Sequence, residues 1–98
     1  MIVIRDVFRL KFGKAREAKA LMAETKKFSI QFGTDGSRML TDLVGPSYTL
    51  VLETNFKNLA AWEQEMTKGM GTQEWKDWYV KFQLLVDSSY REIFTVID

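Results

Sequence analysis

The chain contains no cysteine and no histidine. Without thiols there are no disulfides, no thiolate nucleophile and no cysteine-ligated zinc or iron–sulfur cluster. Without imidazole, the usual general base near neutral pH, the usual haem ligand and nearly every transition-metal site are gone as well. The expectation is therefore a protein with no metal site and no cofactor. Charge of one sign is missing too: fourteen Lys+Arg against thirteen Asp+Glu leave a net charge of +1. No strong field points to nucleic acid or to an acidic membrane. Long apolar runs are absent. None exceeds four residues, where a bilayer span needs about 20. The start, Met1-Ile-Val-Ile-Arg5-Asp6, meets charge too soon for a signal peptide. These absences predict a soluble, cytoplasmic domain with no membrane and no nucleic-acid partner.

What is present is a hydrophobic share of 46% and an aromatic share of 13% over 98 residues, which predicts a single domain spanning 1–98. Ile2, Ile4, Phe8, Leu10 and Phe12 alternate with Val3, Arg5, Val7, Arg9 and Lys11. Period two is a strand with one buried face, and Asp6 interrupts that face. Gly13 ends it. From Lys14 to about Phe32, Ala15, Ala18, Leu21, Met22, Thr25, Phe28 and Phe32 recur at three- and four-residue steps, an amphipathic helix stopped by Gly33. Residues 34–37 form a turn cluster. Arg38–Val44 and Tyr48–Thr54 are two β-rich runs joined through Gly45-Pro46-Ser47, which reads as a hairpin.

Asn55 or Asn58 can cap the next helix, whose stripe is Leu59, Trp62 and Met66. Gly69-Met70-Gly71 interrupts it, and Thr72 can cap a further helix carrying Trp75, Trp78, Tyr79, Phe82 and Leu85. Asp87-Ser88-Ser89 breaks the pattern, and Tyr90–Ile97 closes the chain as a strand. Strand, helix, strand, strand, helix in two pieces, strand is the α+β order of a ferredoxin-like βαββαβ sandwich, a four-stranded antiparallel sheet with helices on one face. The opposite face is expected to carry Val3, Arg5, Val7 and Arg9 with Thr49, Val51, Glu53, Arg91, Ile93 and Thr95. That mixture suits pairing with a second copy, since so small a domain gains much by doubling its core. A solvated face chosen for strand propensity is the alternative.

The opening Phe8-Arg-Leu-Lys-Phe-Gly-Lys14 resembles the strand–"Lys-Pro-Gly"–helix start of the dimeric α–β barrel superfamily, with Phe12 where proline often stands. Leu50-Val-Leu-Glu-Thr-Asn-Phe-Lys-Asn-Leu-Ala-Ala-Trp62-Glu is similar to its "strand, Phe-x-Ser-Leu-x-x-Trp-Glu" join. The Trp75–Trp78–Tyr79 region and the closing strand most resemble NIPSNAP-like members. The resemblance implies two sheets paired face to face as a homodimeric α–β barrel. The superfamily includes cofactorless monooxygenases, haem-degrading enzymes, isomerases and members of unknown role, so fold alone does not choose among them. Its haem-degrading branch uses Asn, Trp and His where this chain aligns Asp6, Phe56 and Met66, so haem ligation of that style is lost.

Cofactor-independent oxidation of a quinol needs an aromatic-lined pocket and a group to deprotonate a phenol. Tyr48, Trp62, Trp75, Trp78, Tyr79 and Tyr90 supply rings, which otherwise pack as core. Asp6 is the candidate catalytic acid–base, since a carboxylate among apolar side chains holds its proton more readily; otherwise it pairs with a nearby arginine or turns outward. Arg5 and Arg9 are candidate ligand-binding groups for a carboxylate or enolate inside the dimer, or pair with Glu53, Glu92 or a partner's carboxylate. Glu63, Glu65, Glu74 and Asp77 are spaced for a helix surface. No aromatic stacking platform for RNA falls on the outer positions of the first and third strands. Two readings stay open: a small-molecule enzyme of monooxygenase or isomerase type with a hydrophobic pocket, and a non-catalytic homodimer that binds a small hydrophobic or aromatic ligand or a partner.

Overall fold

A computed structural model describes residues 1–25 and 38–97. Its elements follow in chain order as β1 (Ile2–Leu10), α1 (Ala15–Glu24), β2 (Arg38–Thr41), β3 (Thr49–Phe56), α2 (Leu59–Met70), α3 (Gln73–Gln83) and β4 (Val86–Thr95). All strand pairs are antiparallel, in the order β2-β3-β1-β4. The ferredoxin-like α+β sandwich expected from the pattern is what forms, with the second helical segment split at Gly71 and Thr72. The expected continuation of α1 to Phe32, its stop at Gly33 and the turn at residues 34–37 lie outside the described residues.

The alternation in β1 sets the layers. Ile4 and Leu10 are buried on the helix side, where Leu50 and Phe56 of β3 join them. Ala18 and Met22 of α1 and Trp78 and Phe82 of α3 close this core from above, with Leu85 beside them. Removing one such large side chain from water is worth ~1.5–3 kcal/mol. Phe12 departs from the expected buried face. β1 ends at Leu10, the chain turns through Gly13 at φ +79°, and Phe12 is left 88% exposed, its ring tilted against Tyr48.

The helices end on side chains. Asn58, not Asn55, caps α2 by accepting from the Ala61 N–H at 2.9 Å, and Thr72 caps α3 by accepting from the Trp75 N–H at 3.2 Å. The last carbonyls of a helix have no partner inside it. In α1 the Trp78 indole donates to the Leu21 carbonyl at 2.6 Å, and the Thr25 hydroxyl to that of Met22 at 2.6 Å.

Beyond a shift of β3 from the expected Tyr48–Thr54 to Thr49–Phe56, three features of the strands differ from expectation. β2 stops at Thr41, because Asp42 closes the hairpin with its own side chain, accepting from the Thr49 N–H at 2.9 Å. Leu43 and Val44 then stand almost wholly exposed at the tip. β4 begins at Val86 rather than Tyr90 and ends at Thr95. The polar run Asp87-Ser88-Ser89 suits an edge strand, whose solvated side chains cost nothing there. The third difference is the parity of β4. Asp6 pairs with Arg91, Ile4 with Ile93 and Ile2 with Thr95, so these three β4 residues lie on the helix side. The outer face carries Tyr90, Glu92 and Phe94 instead. A shift of one residue in a strand exchanges its two faces.

Candidate functional site

Asp6 sits mid-strand on the helix side of β1, flanked along that face by Ile4 and Phe8. Its neighbour across β3 is Leu52 and across β4 is Arg91. The Arg91 Nε donates to Asp6 Oδ1 at 2.6 Å. The carboxylate is largely enclosed, with 18% of its side chain exposed, while the arginine reaches toward solvent at 49%. The Arg91 guanidinium also lies over the Trp62 ring of α2, 5.0 Å from its centroid. Cation–ring stacking and a carboxylate on one edge hold the guanidinium in a fixed plane.

Above this pair is a cavity of about 270 Å³ between the sheet and the helices. Its floor is Asp6, Phe8, Leu52 and the β4 stretch Ser89–Arg91. Its roof comes from all three helices: Met22 and Thr25 at the end of α1, Met66 and Met70 of α2, and Trp75, Trp78, Tyr79 and Phe82 of α3. The break between α2 and α3 brings both helices to one hollow. Trp75 and Tyr79 stack at 4.6 Å with planes 14° apart, and Trp78 and Phe82 at 4.9 Å and 12°. Flat rings in parallel suit a flat guest, and unbranched methionines adapt to its outline.

Of the residues nominated from the sequence, Asp6, Trp75, Trp78 and Tyr79 line this cavity together. Trp62 stands behind it, as the platform for Arg91. Tyr48 does not reach it. At φ +61°, it lines a separate hollow of about 340 Å³ with Leu10, Ala15 and Lys19. Arg5 and Arg9 are on the opposite side of the sheet. Arg5 Nε lies 3.7 Å from Glu53 Oε2, and Arg38 Nε donates to Glu53 Oε1 at 2.9 Å. Arg9 Nη1 donates to the Ser47 carbonyl at 2.7 Å. These two arginines, with Val7, Leu40, Val51 and Tyr90, border an open hollow of about 550 Å³ under the hairpin tip.

Arg91 is the site residue that the sequence reading missed. It was expected on the outer face with Ile93 and Thr95, and the register of β4 against β1 puts all three on the helix side instead. The signal lay in Asp6 itself: a carboxylate on an apolar strand face calls for a cation on the adjoining strand, and Arg91 is the sole Lys or Arg of β4. Among the described residues no group of three acidic side chains gathers as a metal cage, and no helix is long and apolar enough to cross a membrane.

The fold defines a class, the ferredoxin-like α+β domain in the form shared by NIPSNAP proteins and monooxygenases of antibiotic biosynthesis. No protein-family model matches the sequence, and no curated protein matches it significantly. Among solved structures, a NIPSNAP family protein from Agrobacterium tumefaciens superimposes with a TM-score of 0.86 at 22% identity, over 99% of this chain and 93% of that one. An uncharacterised NIPSNAP domain protein from Burkholderia xenovorans gives 0.80 at 12% identity, over 99% and 95%. A candidate antibiotic biosynthesis monooxygenase from Nitrosomonas europaea gives 0.74 at 16% identity, over the whole of both chains. The chain is NIPSNAP-like in architecture, and the likeness is one of fold.

Proposed function

We propose that this protein is a small-molecule enzyme of monooxygenase or isomerase type that needs no cofactor, acts as a homodimer, and holds a planar aromatic or quinol-like substrate in the cavity over Asp6. The observation that carries this reading is an enclosed carboxylate, oriented by an arginine, at the floor of a hollow walled by stacked rings and methionines. Apolar hollows with one or two convergent polar groups are where small ligands bind. A phenol or enol that reaches Asp6 gives its proton to the carboxylate, and the anion left on the substrate lies beside the Arg91 guanidinium. Such an anion yields an electron to oxygen, or takes a proton back at another carbon, more readily than its neutral parent. The dimer forms by pairing of the outer sheet faces, where Val3, Val7, Val51, Leu40, Tyr90 and Phe94 gather.

A second reading has its own support. Asp6 is already bound to Arg91 at 2.6 Å, which suits a site that binds its ligand without proton transfer. Oxygen uptake with 1,4-naphthoquinol, read beside indole emission, separates the two. The enzyme reading expects uptake above the uncatalysed rate and a loss of at least about tenfold in Asp6→Asn, the scale of general-base catalysis. Quenching with neither oxygen uptake nor an isomerised product selects the non-catalytic binder. Emission that responds to no naphthol or quinol sinks both.

A further inference from the structure

Arg91 is held by only part of its guanidinium. Its Nε edge faces Asp6, and one flat side lies over Trp62. Among the described residues the two Nη atoms have no hydrogen-bond partner, although the residue lines the cavity. A guanidinium has five donors, and the Nη end makes a fork that matches a carboxylate. Two restraints already fix the plane of this fork, so a ligand that engages it does not have to immobilise a loose side chain.

Resting on the cavity reading above, we propose that the ligand is an aromatic carboxylate of one or two rings: its rings lie in the hollow beneath Trp75 and Tyr79, and its carboxylate takes the Nη fork of Arg91. Size agrees, since about 270 Å³ falls just below the ~300–1,000 Å³ of sites for drug-sized molecules. Charge agrees as well. Asp6 alone repels an acid, but its charge is matched by Arg91 on one edge, and the same guanidinium meets the incoming anion on another. Arg91 thus bridges two carboxylates, with Asp6 as the positioning residue. The neutral alternative, a simple naphthol or quinol, leaves the fork of this half-exposed arginine to water alone.

Calorimetric titration with 2-naphthoate, and with 2-naphthol as the neutral match, tests this. The proposal expects 2-naphthoate to bind about tenfold more tightly at low salt, as charge-assisted bidentate bonds are the stronger kind. Arg91→Gln should abolish that preference, bringing the ratio of the two affinities to about one whatever happens to the absolute affinity of 2-naphthol, with an unchanged circular dichroism spectrum as the check that the fold survives. Arg91→Lys keeps the charge without the fork and should lose most of the preference; it serves as the deciding variant where Arg91→Gln does not fold. Equal binding of the two probes, or a preference that persists in Arg91→Lys and Arg91→Gln, overturns the carboxylate assignment and leaves the cavity reading standing. Failure of both probes to bind removes the cavity reading and the assignment with it.

Discussion

Trp78 does three jobs with one side chain. It fills the core beside Met22, stacks on Phe82, and donates its indole N–H to the Leu21 carbonyl at the end of α1. Trp78→Phe keeps a ring but leaves that carbonyl without its donor and removes volume from a close-packed region. The expected loss is about 2–3 kcal/mol, read as a lower urea midpoint at unchanged slope. At this scale the sequence was informative about type and poor about partner. Spacing put Trp78 on the buried stripe of a helix, yet nothing in it announced that a residue 57 positions away would need the indole N–H. Asp6 follows the same rule. Its place on a buried face was legible from β1 alone, whereas the identity of its cation depended on the register of a strand 85 residues on.

Between α2 and α3 the chain changes direction through Gly71 and Thr72. Thr72→Ala removes the side chain that accepts from the Trp75 N–H and should cost about 1 kcal/mol. Gly71→Ala should act in the opposite sense. Gly71 has ordinary helical geometry at φ −80°, and an added methyl would meet the Thr67 carbonyl at a comfortable 3.6 Å. Restricting the unfolded chain then stabilises the fold by ~0.4–1 kcal/mol. Opposite shifts in thermal midpoint for two adjacent substitutions are the check. Elements were legible wherever periodicity was strong, as in β1 and α3. β4 was legible as a strand but not in its start, because an edge strand needs no apolar alternation: polar side chains tolerate that position, and backbone pairing with β1 decides where it begins. The hairpin was legible as a hairpin, but its loop was underestimated, since the Asp42 carboxylate takes the Thr49 N–H while the Asp42 N–H still donates to the Thr49 carbonyl, so the ladder closes there.

The molecule is a slab of 36 × 34 × 19 Å, and among the described residues the helices cover one face of the sheet while the other is overhung only in part, at Val51, by the hairpin. Tyr90 and Phe94 are 60% and 48% exposed there. The proposed pairing puts two such faces together, with the hairpin tips carrying Leu43 and Val44 at the rim. Light scattering at tens of micromolar should return twice the 11.4 kDa of one chain. Val7→Glu, at the centre of the outer face, should return a single chain whose circular dichroism is unchanged. A wild-type monomer would remove the dimer from the reading of function and leave the helix-side cavity untouched, since its lining comes entirely from one copy.

The strand order also sets a timetable. β1, the first of the four strands to leave the ribosome, ends up inside the sheet, and its β4 neighbour is made last. Asp6 and Arg91 stand 85 residues apart, so at ~5–20 residues per second β1 waits roughly 4–17 s for that neighbour. Over that interval one edge of β1 is bare and open to strands of other nascent chains. The cavity has no Ser89, Tyr90 or Arg91 and therefore lacks a wall. Ligand can stabilise only a chain in which β4 has paired, and the binding site comes into being in the same step that covers this edge of β1.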